Sequence, residues 1–84
     1  PLEVDIIASR GSLLVFCEVR ARSLRSGIHP AETVGAQKRS RIRKAAVRWL
    51  AEGGFGYFEE LRFDVAAVAP RRGSLVMRYY ANAF

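Results

Sequence analysis

Two acids and one guanidinium in this 84-residue sequence are of types and spacing that could do chemistry together. Asp5 is embedded in an apolar, β-branched run over residues 4–8, and Glu18 in a second apolar run over residues 13–19, with Arg20 two residues further on. Arg10-Gly11-Ser12 separates the runs, and a central Gly-Ser pair suits a type II′ turn, so the two runs read as a β-hairpin. With Gly11 and Ser12 as the turn residues, antiparallel pairing sets Asp5 directly opposite Glu18, with Cβ atoms about 4.5–5.5 Å apart. Like charges at that distance are destabilising and need compensation. A divalent cation would supply it, since Mg²⁺ favours one or two carboxylates completed by water and phosphate oxygens. A metal beside a cationic side chain is what phosphodiester hydrolysis requires. The metal activates a water and polarises the phosphate, while the cation stabilises charge developing in the transition state. The same three residues also read as a Glu18–Arg20 or Asp5–Arg20 ion pair at a sheet edge with no metal. The pairing depends on register, which a one-residue slip would change.

The elements that must position these groups follow from periodicity. Alternation along the second run puts Leu14, Phe16, Glu18 and Arg20 on one face and Leu13, Val15, Cys17 and Val19 on the other. Residues 22–32 carry Ser, Gly27, His and Pro and read as a loop, either an ordinary connector or a basic segment that touches a phosphate backbone. Residues 36–52 switch to helical period. Ile42, Ala45, Ala46, Trp49 and Leu50 form an apolar stripe, and Gly53-Gly54 stops the helix. Trp49 reads as a core anchor against the sheet. Residues 53–60 form a glycine- and aromatic-rich loop, 61–69 a third strand, 70–73 a turn and 75–80 a fourth strand. The order β-β-α-β-β predicts an α/β (α+β) domain over residues 1–84, with the helix packed on one face of a mixed sheet.

Composition narrows the classes. Half the residues are hydrophobic, too many for a disordered chain. A single cysteine, Cys17, excludes an internal disulfide framework and fits a reducing, cytoplasmic setting. With one histidine besides, a standard zinc finger or ribbon is excluded. No apolar run approaches the ~20 residues of a membrane span. The opening residues already read as strand, so a preceding N-terminal segment is expected. Net charge is +6, and from Arg20 to Arg48 nine basic residues face one acid, Glu32. That field suits a polyanion, although a solvated helix face explains it equally well.

The residues taken together resemble a family. Asp5, a short hairpin and Glu18-Val19-Arg20 look like the PD-(D/E)XK nuclease signature, with arginine where lysine is usual. More closely, the chain resembles the YraN-like family of small bacterial proteins, related in fold to archaeal Holliday-junction resolvases. The matching stretches are residues 2–8, 14–22, the basic helix near Gln37-Lys38-Arg39, 61–68 and the closing Asn82-Ala83-Phe84. They run over the whole chain in the right order.

The resemblance implies a restriction-endonuclease-like fold without the family's usual N-terminal helix and strand, and a Mg- or Mn-dependent endodeoxyribonuclease acting on DNA, branched or damaged DNA included. Asp5 and Glu18 would be metal ligands, with the Val19 carbonyl as a third oxygen. Arg20 would stand in the catalytic lysine's position, and Gln37 would approach the site from the helix. Glu3 matches a family glutamate of unassigned role, and Asp64 matches as a residue that holds a backbone or arginine contact. Arg22, Arg25, Lys38, Arg39, Arg41 and Lys44 are the expected nucleic-acid contacts. Arginine stays protonated at any useful pH, so Arg20 can stabilise charge but cannot act as a base. Two further readings on the same fold therefore stand beside the nuclease. One is a catalytically inactive nucleic-acid-binding module. The other is a protein-interaction adaptor or homodimer using the hairpin edge and the Phe55-Gly56-Tyr57-Phe58 loop.

Overall fold

In the computed structural model, residues 4–21, 35–53 and 56–84 are described. Strands β1 (Ile6–Arg10) and β2 (Leu13–Ala21) form the first hairpin, helix α1 (Ala36–Ala51) follows, and strands β3 (Glu60–Arg71) and β4 (Ser74–Tyr80) form the second. The sheet order is β1-β2-β3-β4. The outer pairs are antiparallel, while β2 and β3 run parallel. A parallel pair cannot be joined by a tight turn and needs a long crossover, which α1 provides. The expected mixed sheet with one helix is therefore present.

The turn chemistry explains both hairpins. Arg10 pairs with Leu13 across a two-residue loop in which Gly11 has φ +57°, the left-handed first position of a type II′ turn. In the second hairpin Arg71 pairs with Ser74, and Arg72 and Gly73 both have positive φ, as a type I′ turn requires. The turn expected over residues 70–73 is thus shorter. Pro70 and Arg71 belong to β3, and Arg72 takes a left-handed conformation that side chains with a Cβ rarely adopt. Strand β1 likewise begins two residues later than the apolar run suggests and extends to Arg10.

The core lies between α1 and one face of the sheet. Phe16 is fully buried, stacks on Phe63 with ring centroids 5.5 Å apart and meets Trp49 of α1 edge-on at 6.0 Å. Leu14 and Ala46 complete this cluster, and Ile42 packs with Val65 beside it. Trp49 is the core anchor its place in the helical stripe predicts. No helix among the described residues is long and apolar enough to cross a membrane.

The opposite face holds a polar clasp. Asp64 is fully buried. Its carboxylate accepts bonds from Arg62 Nε at 2.9 Å, from the Tyr79 hydroxyl and from the Asn82 amide at 2.8 Å. Burial alone would raise the Asp64 pKa, but these donors together hold it below the ordinary value. The same contact and burial push the Tyr79 hydroxyl pKa up, so it donates rather than ionises. Asp64 therefore ties β4 and the C-terminal residues to β3, the backbone and arginine role its sequence position implies.

Replacing Asp64→Asn should cost about 2–3 kcal/mol near neutral pH, because a buried charge network is broken on one side. The carboxylate ionises more readily in the folded state than in the unfolded chain. Its contribution is therefore complete well above about pH 4 and fades as pH falls through the folded-state pKa. Denaturant midpoints of wild type and variant should converge on acidification.

Candidate functional site

The paired part of the hairpin ends one residue short of the two acids of interest. Ile6 pairs with Cys17 as the last pair of this ladder, and the same register carried one residue further would set Asp5 against Glu18. Asp5 sits in the bend that leads into β1 and is exposed. Its Oδ2 accepts a 2.8 Å bond from the Val19 amide. That amide belongs to the peptide unit following Glu18, so Asp5 holds the backbone next to the second acid. In an extended strand a residue's N–H and C=O lie along the same edge. The Val19 carbonyl therefore opens on the edge where Asp5 sits.

Glu18 points toward α1. It is only 5% exposed, and two cations converge on its Oε1: Lys38 Nζ at 2.6 Å and Arg20 Nε at 3.7 Å. The second distance is an ion-pair contact but too long for a hydrogen bond. Arg20 Nε is buried and has no hydrogen-bond partner among the described residues, an unspent donor beside a carboxylate. Each acid thus has its own partner without a metal, an amide for Asp5 and two cations for Glu18.

Lys38 is the residue whose role the sequence reading missed. It was grouped with the outward, backbone-contacting residues, yet the helix turns it inward. A signal for this exists. Lys38 lies four residues before Ile42, so at 3.6 residues per turn it heads the same stripe as Ile42, Ala45, Ala46 and Trp49. The first turn of α1 has no acidic residue, and a lysine there opposes the helix dipole unless an anion offsets it. Glu18 is that anion.

The remaining expected contacts separate. Gln37 is exposed on the first turn of α1. Arg39 is half-buried, while Arg41 and Lys44 are exposed. Arg43 lies over the Phe63 ring, 5.3 Å from its centroid. Ala36, Ser40, Arg43 and Val47 line an open groove of about 600 Å³ together with Arg39, Lys44 and Arg48. Helical spacing puts that groove on the outward side of α1, away from Glu18. Glu3, Arg22, Arg25 and Phe55 lie outside the described residues. Tyr57 is exposed and Phe58 half-buried, so the aromatic loop splits between solvent and core.

Among the described residues there is no cluster of three or more histidine, cysteine or acidic groups that could hold a metal. The local donors are oxygens: the Glu18 carboxylate, the second oxygen of Asp5 and the Val19 carbonyl. Such a set fits Mg²⁺ or Mn²⁺ with a mostly water-filled shell, and not zinc. Cys17 is buried on the opposite face, and burial pushes its thiol pKa up.

In comparison with known proteins, residues 2–68 match the model of the Uncharacterised protein family UPF0102. The chain belongs to that family. It is 39% identical over 82 residues to a UPF0102 protein of Anaeromyxobacter sp. (strain Fw109-5), an alignment covering 98% of this chain and 61% of that protein. To a UPF0102 protein of Parafrankia sp. (strain EAN1pec) it is 45% identical over 84 residues, 98% of this chain and 70% of the relative. To one of Rhodococcus jostii (strain RHA1) it is 46% identical over 66 residues, 79% of this chain and 55% of the relative. The chain therefore spans only part of the length of the UPF0102 proteins it matches. The resemblance to YraN-like proteins is supported at the level of this family.

Asp5 should be separable from its backbone role by substitution. Asp5→Ala removes the acceptor for the Val19 amide and should lower stability by about 1 kcal/mol. Asp5→Asn keeps a side-chain oxygen for that amide and should leave the denaturant midpoint close to wild type. An equal loss in both would mean that the charge, and not the hydrogen bond, holds this end of the hairpin.

Proposed function

We propose that this UPF0102 chain carries the active-site half of a restriction-endonuclease-like, PD-(D/E)XK-type protein that hydrolyses phosphodiester bonds in DNA with Mg²⁺ or Mn²⁺. The observation that carries the reading is the junction of β1, β2 and α1. There Asp5 grips the peptide after Glu18, and Glu18 is buried between Arg20 and Lys38. A bound divalent cation would activate water and polarise the phosphate.

The chain's own residues do the rest. Asp5 and Glu18 present oxygens from neighbouring strands, and the Asp5–Val19 bond fixes the backbone between them. Arg20, always protonated and in ion-pair range of Glu18, carries the charge suited to a phosphate oxygen whose charge grows in the transition state. Exposed Arg41 and Lys44 on α1 supply a sequence-independent attraction for the DNA backbone.

A second reading, a DNA-binding module without hydrolysis, is favoured by one specific feature. Both cations near Glu18 are already paired to it, and Arg20 cannot serve as a base. For an adaptor role the aromatics divide, since Trp49 packs on the core and Phe58 is half-buried while Tyr57 is exposed.

Two measurements separate these readings. Full-length protein incubated with Mg²⁺ or Mn²⁺ and linear, single-stranded and branched DNAs should cleave at least one substrate. Cleavage should be lost in Asp5→Ala and Glu18→Ala. Absence of cleavage, or cleavage that survives both substitutions, rejects the nuclease. DNA affinity should fall with salt, and the double charge reversal Arg41→Glu with Lys44→Glu should reduce the log–log slope by about 2. Affinity that is flat across salt concentrations rejects both DNA readings.

A further inference from the structure

We infer that Lys38 is the resident counter-ion of Glu18 and competes with the divalent cation for that carboxylate, so that metal entry releases a cation toward the substrate phosphate. The inference rests on the nuclease reading of this site and adds a positioning role for a residue on α1.

The argument begins with burial. Glu18 is 5% exposed, and a carboxylate that far from water requires a paired cation. Lys38 supplies it at 2.6 Å, a direct contact ion pair, whereas Arg20 stands off at 3.7 Å on the same oxygen. A divalent cation bound to Glu18 would face both positive groups within a few ångströms in a poorly hydrated pocket. At such separations repulsion is strong, so one of the two must leave. Arg20 is the less able to do so. It lies two residues from Glu18 on the same strand and carries a planar, rigid head group. Lys38 reaches across from the first turn of α1 on a flexible four-carbon stem, with its side chain still 31% exposed, and can swing outward. Once displaced, its ammonium would swing away from Glu18 toward the solvent side of the first turn of α1, where a phosphodiester would lie. Lys38 in this view is a positioning residue. It keeps the empty site charge-balanced, and it couples metal binding to DNA binding in a reciprocal way.

The test uses free Mn²⁺, measured by electron paramagnetic resonance during titration of full-length wild type, Glu18→Gln, Lys38→Met and Lys38→Arg at near-neutral pH and low salt. Lys38→Met keeps the apolar stem and removes the charge. It should bind Mn²⁺ about tenfold more tightly than wild type, within the usual range for coupled sites. Lys38→Arg, which keeps the charge, should resemble wild type, and Glu18→Gln should bind weakly. Circular dichroism melting checks each fold, and Lys38→Gln, which retains a donor to Glu18, replaces the methionine variant if that one is not folded. Wild-type binding that depends on Glu18 but is unchanged or weakened by loss of Lys38 overturns the competition while leaving the nuclease reading intact. No Glu18-dependent Mn²⁺ binding in wild type or in Lys38→Met overturns the competition together with the metal site beneath it.

Discussion

A carboxylate buried at the seam between a sheet and a helix has to be matched by positive charge, and this requirement organises the molecule around Glu18. Strand β2 is central, paired on both sides, and its inward face runs Leu14, Phe16, Glu18, Arg20. The first two residues build the core. The third places a charge where the apolar contact between α1 and the sheet gives out. Without Lys38 from the helix and Arg20 from the strand, burial of Glu18 would cost several kcal/mol. Helix α1 is thus held to the sheet by an apolar contact at Ile42, Ala46 and Trp49 and by a charged one at its first turn.

The crossover makes this convergence possible. Because β2 and β3 are parallel, the chain must leave the end of β2 and return to the start of β3, and α1 lies across the face between them. The end of β2, where Glu18 and Arg20 sit, therefore meets the start of α1, where Lys38 sits. The second hairpin joins β2 through the parallel β2–β3 pairing. Its part is to close the sheet, with Asp64 binding Arg62, Tyr79 and the Asn82 amide on the opposite face. Structural and candidate chemical charges are thus segregated on the two faces of one sheet.

Much of this was legible in the residues. The Gly-Ser turn set the register of the first hairpin, and the helical stripe identified Trp49 as core. What was not legible has physical causes. The direction in which Asp5 turns is decided by an unpaired strand amide at Val19, and backbone donors leave no mark in side-chain patterns. Lys38 reads as a surface residue because lysine usually is one, although its place at the head of the stripe marks it as inward. The left-handed Arg72 shows the same limit. A type I′ turn was formed without the Asn-Gly or Asp-Gly pair that normally announces it, and the proline before it concealed two residues of strand.

The proposed nuclease requires the Asp5–Glu18–Val19 junction to take a divalent cation. Amide nuclear magnetic resonance of the full-length protein titrated with substoichiometric Mn²⁺ tests it directly, because paramagnetic broadening reports distance from the bound ion. Broadening confined to residues around Asp5, Glu18, Val19 and the first turn of α1 is the predicted result. Broadening centred on exposed acids such as Glu52, Glu59 or Glu60, or none at all, would contradict it.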